Sequence, residues 1–281
     1  MDRDRNLPQN NRRPTTSLTA AETPVQTTKT LEGSVWIAIA WGMFPVAIAQ
    51  PFSRFIALVG FGPSAINGTP VLSGPRQLLL QFGILGLTLA GTRATHRWRW
   101  RDLIGPKNLD ARVWLGATVL AIGAGAFIVG GAKLLSELIE ISPPAGERLR
   151  SLPAGVFVGV VVAPILEESL YRGVLLRVLL QRFGARYAIA FSASLFALIH
   201  FDLSLLGFAS LLLSGSIFGW LLVRSKSLLP AVVAHASWNL TMICLALASA
   251  NQHPVVLVLG GAALAVVGAH LVAPSLGDNR K

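Results

Sequence analysis

Long apolar runs alternate with short polar connections along most of this chain. Eight runs approach the length of about 20 residues that a helix needs to cross a bilayer. They lie at about 34–52, 76–92, 112–135, 153–176, 184–200, 204–223, 227–249 and 253–273. Because the runs are continuous and too long for barrel strands, they indicate helices. The predicted fold is therefore an all-α, polytopic membrane bundle of about eight transmembrane helices.

The two ends of the chain differ from its middle. Residues 1–31 are polar and lack the apolar core of a secretory signal peptide, so we expect a disordered cytoplasmic tail. Residues 32–275 then form the transmembrane helical domain. Residues 276–281 are expected to form a short cytoplasmic C-terminal tail.

Composition agrees with a membrane location. Hydrophobic residues make up 53% of the chain and charged residues only 13%, against about 25% charged residues in soluble domains. A soluble protein of this length would lack the polar residues to cover its surface. We therefore expect an integral, multi-pass protein of the cell (plasma) membrane, with the lipid bilayer as a partner.

The charge is strongly basic, with a formal net charge of +11. If the N-terminus is cytoplasmic, all but five of the 24 Lys and Arg residues fall on the cytoplasmic side, as the positive-inside rule requires. No basic run is interleaved with stacking aromatics, so we expect no nucleic-acid partner. The segment 96–102, HRWRWRD, is typical of an interfacial anchor, and Gly215 and Gly219 are spaced for close helix packing.

Ionisable residues break the apolar pattern at one run in particular. Glu167 and Glu168 follow a long apolar stretch, although a charge at a helix centre costs about 3 kcal/mol. Glu168 and Arg172 have the spacing of a helical ion pair, and Tyr171 lies one turn from Glu167. Neighbouring carboxylates point about 100° apart, so one partner is not expected to serve both. Glu167 is then left for acid–base work, unless both glutamates are solvated at the interface.

Two later runs also carry polar groups. His200 ends an apolar run four residues after Phe196, and a lone histidine there is more often structural. His235 and Asn239 project from one helix face because they are four residues apart. Either they meet a water-filled cavity or they bond neighbouring helices.

Together these side chains supply the parts of amide hydrolysis: a base for water, an acid for the leaving amine and donors for an oxyanion. No Ser or Thr stands in a recognisable catalytic motif, and Cys244 has none around it, which makes nucleophilic catalysis the weaker option. Two other functions stay open. Buried Glu, His and Arg also mark proton-coupled carriers, and a non-catalytic immunity or scaffold protein could keep the same residues.

The three motifs resemble those of the CAAX prenyl protease and bacteriocin-processing family (CPBP, also called Abi). They are Glu167-Glu168-x-x-x-Arg172, Phe196-x-x-x-His200 and His235-x-x-x-Asn239, and the resemblance covers about residues 150–245. It implies that Glu167 and His200 activate the attacking water and that His235 and Asn239 stabilise the oxyanion. Glu168, Arg172, Tyr171 and Phe196 are expected to support them.

The resemblance also bears on substrate and cofactor. It implies an intramembrane endopeptidase acting on a peptide or protein substrate, prenylated or otherwise membrane-bound. Members are called metalloproteases, yet a metal-free glutamate mechanism is also proposed for them. We therefore expect either no cofactor or a zinc ion held by Glu167, His200 and His235, the three-ligand arrangement of catalytic zinc.

Overall fold

A computed structural model describes residues 35–44, 75–138, 156–200, 204–248 and 252–273. Every regular element among these residues is helical, in agreement with the predicted fold class. In chain order they are α1 (Val35–Phe44), α2 (Pro75–His96), α3 (Trp100–Ile104), α4 (Ala111–Leu138), π1 (Val158–Val162), α5 (Ala163–Glu168), π2 (Ser169–Leu176), α6 (Arg177–Leu180), α7 (Ala185–Ile199), α8 (Leu205–Ser225), α9 (Leu229–Leu247) and α10 (Pro254–Val272).

Four helices of the described residues are long and apolar enough to cross a membrane. They are α4 over Ala111–Ser136, α8, α9 and α10, whereas α1 and α7 are shorter apolar helices. The count of eight spans and the cytoplasmic N-terminus stay predictions. The predicted tails, 1–31 and 276–281, lie outside the described residues.

The predicted span 153–176 is not a uniform helix. From residue 158 to residue 180 the segments π1, α5, π2 and α6 follow one another without a break, and we call this stretch the Glu helix. The π-helical turns, in which each N–H reaches five residues back, are often found at functional sites. Here they flank the two glutamates on both sides.

Glycines bring α4 and α10 into backbone contact. A Cβ atom added to Gly123 would lie 2.4 Å from the nitrogen of Ala265, and one added to Gly268 would lie 2.3 Å from the nitrogen of Leu120. Since real Cβ atoms do not approach so closely, only glycine permits this packing. The pair forms one side of the bundle, and α4 also packs against α9.

The predicted packing role of Gly215 and Gly219 is confirmed. A Cβ atom on Gly215 would lie 3.1 Å from the Cβ atom of Ala193, and one on Gly219 would lie 3.2 Å from Ile189, both on α7. The small residues therefore allow α8 to lie close against α7. This contact positions the last residues of α7, which lead into the site.

Three connections that the charge pattern places on the same side of the membrane meet at one end of the bundle. Arg177 Nη2 donates to the carbonyl of Leu103 at 3.0 Å, and Ser227 Oγ donates to the carbonyl of Ile104 at 3.0 Å. The connections after α2, α6 and α8 thus lie near one end of the bundle.

Candidate functional site

The structure brings together groups from three separate helical stretches. Glu167 lies on the Glu helix, His200 directly follows α7, and His235 lies on α9. Glu167 Oε2 is 3.9 Å from His200 Nε2 and 3.8 Å from His235 Nε2. The three side chains therefore face one another across a single small space, as the combined motifs predict.

Glu168 and Arg172 form the predicted ion pair in the interior of the protein. Arg172 Nη1 donates to Glu168 Oε1 at 2.9 Å, and neither side chain is exposed (0% each). The alternative in which both glutamates are solvated is therefore wrong for Glu168. The basic residues assigned to the cytoplasmic side include Arg172, and this assignment is wrong, because a fully buried, paired guanidinium does not contribute to the charge of a loop.

Aromatic rings and a carbonyl complete the surroundings of Arg172. Its second terminal nitrogen, Nη2, donates to the carbonyl of Gly215 at 2.9 Å. The guanidinium carbon lies 4.4 Å from the ring centroid of Phe196 and 5.4 Å from that of Phe218, within cation–π range. Phe196 thus supports the site, as expected, by fixing the cation that neutralises Glu168.

His235 lies between the two neighbouring carboxylates, with one ring nitrogen toward each. Nδ1 lies 2.8 Å from Glu168 Oε1, while Nε2 faces Glu167 Oε2 at 3.8 Å. His235 therefore bonds Glu168 directly but not Glu167, in agreement with the expectation that one partner would not serve both glutamates. The two nitrogens lie on different edges of the imidazole ring, so the second one still faces Glu167.

The ring of His200 is held by the backbone of its own helix. Nδ1 lies 2.8 Å from the carbonyl oxygen of Phe196. Because a carbonyl only accepts, Nδ1 carries the proton of this hydrogen bond, and in neutral imidazole Nε2 is then the acceptor. That acceptor is the nitrogen that faces Glu167. The His200 side chain is 30% exposed and the Glu167 side chain 14%, so the space opens on the His200 side.

Asn239 makes the interhelical contact that one reading of the sequence predicts. Its Nδ2 donates to the carbonyl of Gly159 at 2.7 Å. In π1 the N–H of Ala163 reaches Val158, so in that register the donor for Gly159 would come from Pro164, which has no N–H. Asn239 supplies the missing donor. The amide nitrogen carries a second N–H, which takes no part in this hydrogen bond.

Tyr171 is a supporting residue that acts on a different helix. It is fully buried, and its hydroxyl donates to the carbonyl of Gly42 on α1 at 2.9 Å. Its ring meets that of Phe196 edge to face at 5.5 Å. Tyr171 therefore connects α1 to the Glu helix and holds Phe196 in place.

Phe218 on α8 belongs to the site, but sequence reasoning missed it. Its ring is stacked on that of His235 at 4.8 Å, with 18° between the planes. The residue lies in an ordinary apolar run with no polar neighbour that would single it out. No signal in the sequence distinguishes such a phenylalanine from a lipid-facing one.

The expected zinc ligands lie together around one small space. Among the described residues, no group of three His, Cys, Asp or Glu is arranged to hold a metal ion. Nδ1 of both histidines is bonded to a protein acceptor, and both Nε2 atoms face Glu167 Oε2; this orientation suits a water and is also that of metal-binding histidines. The step proposed below passes through water alone.

The separations around Glu167 suit a bridging water. Oε2 of Glu167 is buried and has no hydrogen-bond partner among the described residues. Distances of 3.8 and 3.9 Å are too long for direct hydrogen bonds, but groups at such separations are often joined through one water molecule. The arrangement can hold a water between a carboxylate and an imidazole, which is a chemically useful place for a nucleophile.

Comparison with known proteins agrees with the motifs. Residues 149–241 match the family described as type II CAAX prenyl endopeptidase, Rce1-like. The matched segment contains Glu167, His200, His235 and the other side chains described around them, and the resemblance is confirmed over it. No curated protein and no solved structure matches the chain. Together with the four apolar helices, the match supports an integral membrane protein and, in general, a CAAX-type intramembrane protease.

Proposed function

We propose that the Rce1-like domain at residues 149–241 makes this chain an intramembrane endopeptidase whose attacking water is activated by Glu167 and His200. One observation carries the proposal. The buried Oε2 of Glu167, which has no hydrogen-bond partner among the described residues, is faced by the Nε2 atoms of two histidines, at 3.8 and 3.9 Å.

Water activation follows from the hydrogen-bonding roles of the two groups. A water between them donates one hydrogen to Glu167 Oε2 and the other to His200 Nε2, which leaves a lone pair free for attack. As the oxygen adds to the substrate carbonyl carbon, Glu167 takes the proton as general base. The proton then passes to the amide nitrogen, the C–N bond breaks, and a carboxylic acid and an amine are released.

His235 is placed to stabilise the oxyanion that this attack creates. Its Nδ1 donates to the Glu168 carboxylate, which Arg172 holds. The oxyanion would accept a hydrogen bond from a proton on Nε2, the ring edge that faces Glu167. The second N–H of Asn239 is the other donor we assign to the oxyanion. Removing one such donor lowers kcat by about 10²–10³-fold in other enzymes.

The substrate we propose is a membrane-associated peptide with a prenylated CAAX terminus, cleaved on its cytoplasmic side. The family match supports this class. The location of the reactive groups supports it too, because they lie within a bundle whose helices are apolar enough for the bilayer. A lipidated substrate is already concentrated in that phase, which a soluble peptide is not.

Cleavage of a defined peptide tests the proposal. The full chain, purified in detergent, is given a farnesylated CAAX peptide and its unprenylated counterpart, and release of the last three residues is measured by mass spectrometry. We expect cleavage of the farnesylated peptide and a loss of about 10²–10⁴-fold in Glu167→Gln. His235→Ala should also be impaired. His270→Gln is the matched control, since His270 is an exposed histidine on α10, outside the site.

Two results would overturn the proposal. Robust cleavage by Glu167→Gln would remove the glutamate mechanism. If a chelator abolishes cleavage by the wild type and Zn²⁺ restores it, the reaction depends on a metal and the metal-free step is wrong. Thermal unfolding of each variant, measured in the same detergent, separates lost chemistry from lost folding.

A further inference from the structure

A second polar feature lies at the end of the bundle where the predicted cytoplasmic connections meet. It is a surface cavity of about 380 Å³ between the last turns of α2 and the start of α3. None of its lining residues belongs to the site around Glu167. The lining residues are Ala90, Arg93, Ala94, Arg97, Trp98 and Arg99.

The cavity concentrates positive charge. Arg93, Arg97 and Arg99 are all exposed, and within the described part of the chain no carboxylate lies within ion-pair distance of any of them. Asp102 accepts the backbone N–H of Arg99 at 3.0 Å and lies 3.9 Å from Arg101 Nε. Three guanidinium groups around one cavity create a potential that attracts an anion, and guanidinium groups bind phosphate well.

An unusual backbone conformation builds this arrangement. Arg97 has a φ of 50°, in the left-handed region that residues other than glycine rarely adopt. Its N–H still donates to the carbonyl of Arg93 at 2.9 Å. The chain turns sharply there, so Arg99 returns to the cavity that Arg93 borders. Such conformations cluster at ligand-binding sites.

Trp98 adds a donor and locates the cavity with respect to the membrane. The residue is only 2% exposed, and its indole Nε1 is buried without an acceptor among the residues that the structure describes. Trp100, half exposed, meets it edge to face at 5.0 Å. Tryptophan pairs of this kind are typical of the headgroup level of a bilayer.

An apolar stripe leads from the cavity along α2. Leu87 (66% exposed), Ala90 and Ala94 are spaced three and four residues apart, so they lie on one exposed face of the helix. A free phosphate or a nucleic acid has no acyl chain that could pack against such a stripe. The acyl chain of a lipid whose headgroup occupies the cavity would lie along it.

We propose that this cavity binds the phosphate of an anionic phospholipid, with Arg93, Arg97 and Arg99 as its ligands and the acyl chains along α2. Each basic residue near an anionic membrane surface contributes about fivefold in affinity, so removal of three should lower the affinity roughly 100-fold. This inference does not depend on the proposed peptidase activity.

Lipid titration of the full chain in detergent tests the site. Phosphatidylglycerol is added to the wild type and to Arg93→Gln/Arg97→Gln/Arg99→Gln, and the rise in Tm is recorded against lipid concentration. The matched control, Arg182→Gln/Arg186→Gln/Arg224→Gln, removes the same charge at exposed positions outside the cavity. We expect half-maximal stabilisation of the cavity variant to need roughly 100-fold more lipid, and the control variant to behave as the wild type.

Further titrations show whether the bound anion is a lipid headgroup, a free phosphate or a nucleic acid. Phosphatidylcholine and inorganic phosphate should each leave the Tm nearly unchanged. The triple lysine variant, Arg93→Lys/Arg97→Lys/Arg99→Lys, should retain most of the lipid response because it retains the charge. The proposal is overturned if inorganic phosphate stabilises as well as the lipid, if an oligonucleotide does so, or if the control variant loses the response as fully as the cavity variant.

Discussion

The buried pair of Glu168 and Arg172 allows a direct test of how the site is held in place. Arg172→Met removes the guanidinium but keeps an unbranched apolar chain in the same space. Of the partners that the structure describes, Glu168 then keeps only His235, and its side chain has no exposed surface. The carboxylate loses its neutralising charge, and Gly215 loses the donor to its carbonyl.

The size of the effect follows from the burial. Breaking a fully buried ion pair by removing one partner costs about 3–5 kcal/mol, because the other charge is left uncompensated. For a chain of this size, that corresponds to a fall in Tm of roughly 10 °C. Glu168→Gln/Arg172→Met removes both charges while keeping an acceptor for His235. It should therefore recover most of the lost stability.

Thermal unfolding of the purified variants in one detergent measures both effects. Arg182→Met, at an exposed arginine just after α6, is the control and should unfold with the wild type. The reasoning is refuted if Arg172→Met unfolds within about 1 °C of the wild type. It is equally refuted if the double variant is no more stable than the single one, because the buried charge would then not be the cause.

Two further substitutions test contacts that could not be predicted from the sequence. Gly123→Leu should lower the Tm, because a Cβ atom there meets the nitrogen of Ala265 at 2.4 Å. Gly260→Leu should not, because no described residue lies within 4 Å of a Cβ atom placed there. Phe218→Leu removes the ring stacked on His235; if that ring positions the imidazole, kcat for the farnesylated peptide should fall about tenfold while KM stays nearly constant. An unchanged Tm in the first case, or a change confined to KM in the second, would count against the assigned roles.

The parts of the site that follow from local helix geometry could be predicted from the sequence. The spacing of four residues between Glu168 and Arg172 predicts their ion pair, and the same spacing places His235 and Asn239 on one face of α9. The cost of burying ionisable groups in an apolar run explains why such residues indicate a shared polar site.

The contacts that could not be predicted join distant parts of the chain or depend on backbone register. Asn239 bonds Gly159 because the π-helical turn and Pro164 leave that carbonyl without its backbone donor. The register shift is not visible in the hydrophobic pattern. The role of Phe218 cannot be predicted from that pattern either, because it comes from stacking on a histidine of another helix.

The catalytic role of Glu167 can be tested most directly by comparing kcat for Glu167→Gln and the wild type under conditions in which both proteins are folded. Glutamine has almost the same shape as glutamate but cannot take a proton from water. The account predicts a kcat for the farnesylated peptide at least about 100-fold lower, with the Tm unchanged. A kcat within about fivefold of the wild type would show that the carboxylate facing the two histidines is not the base.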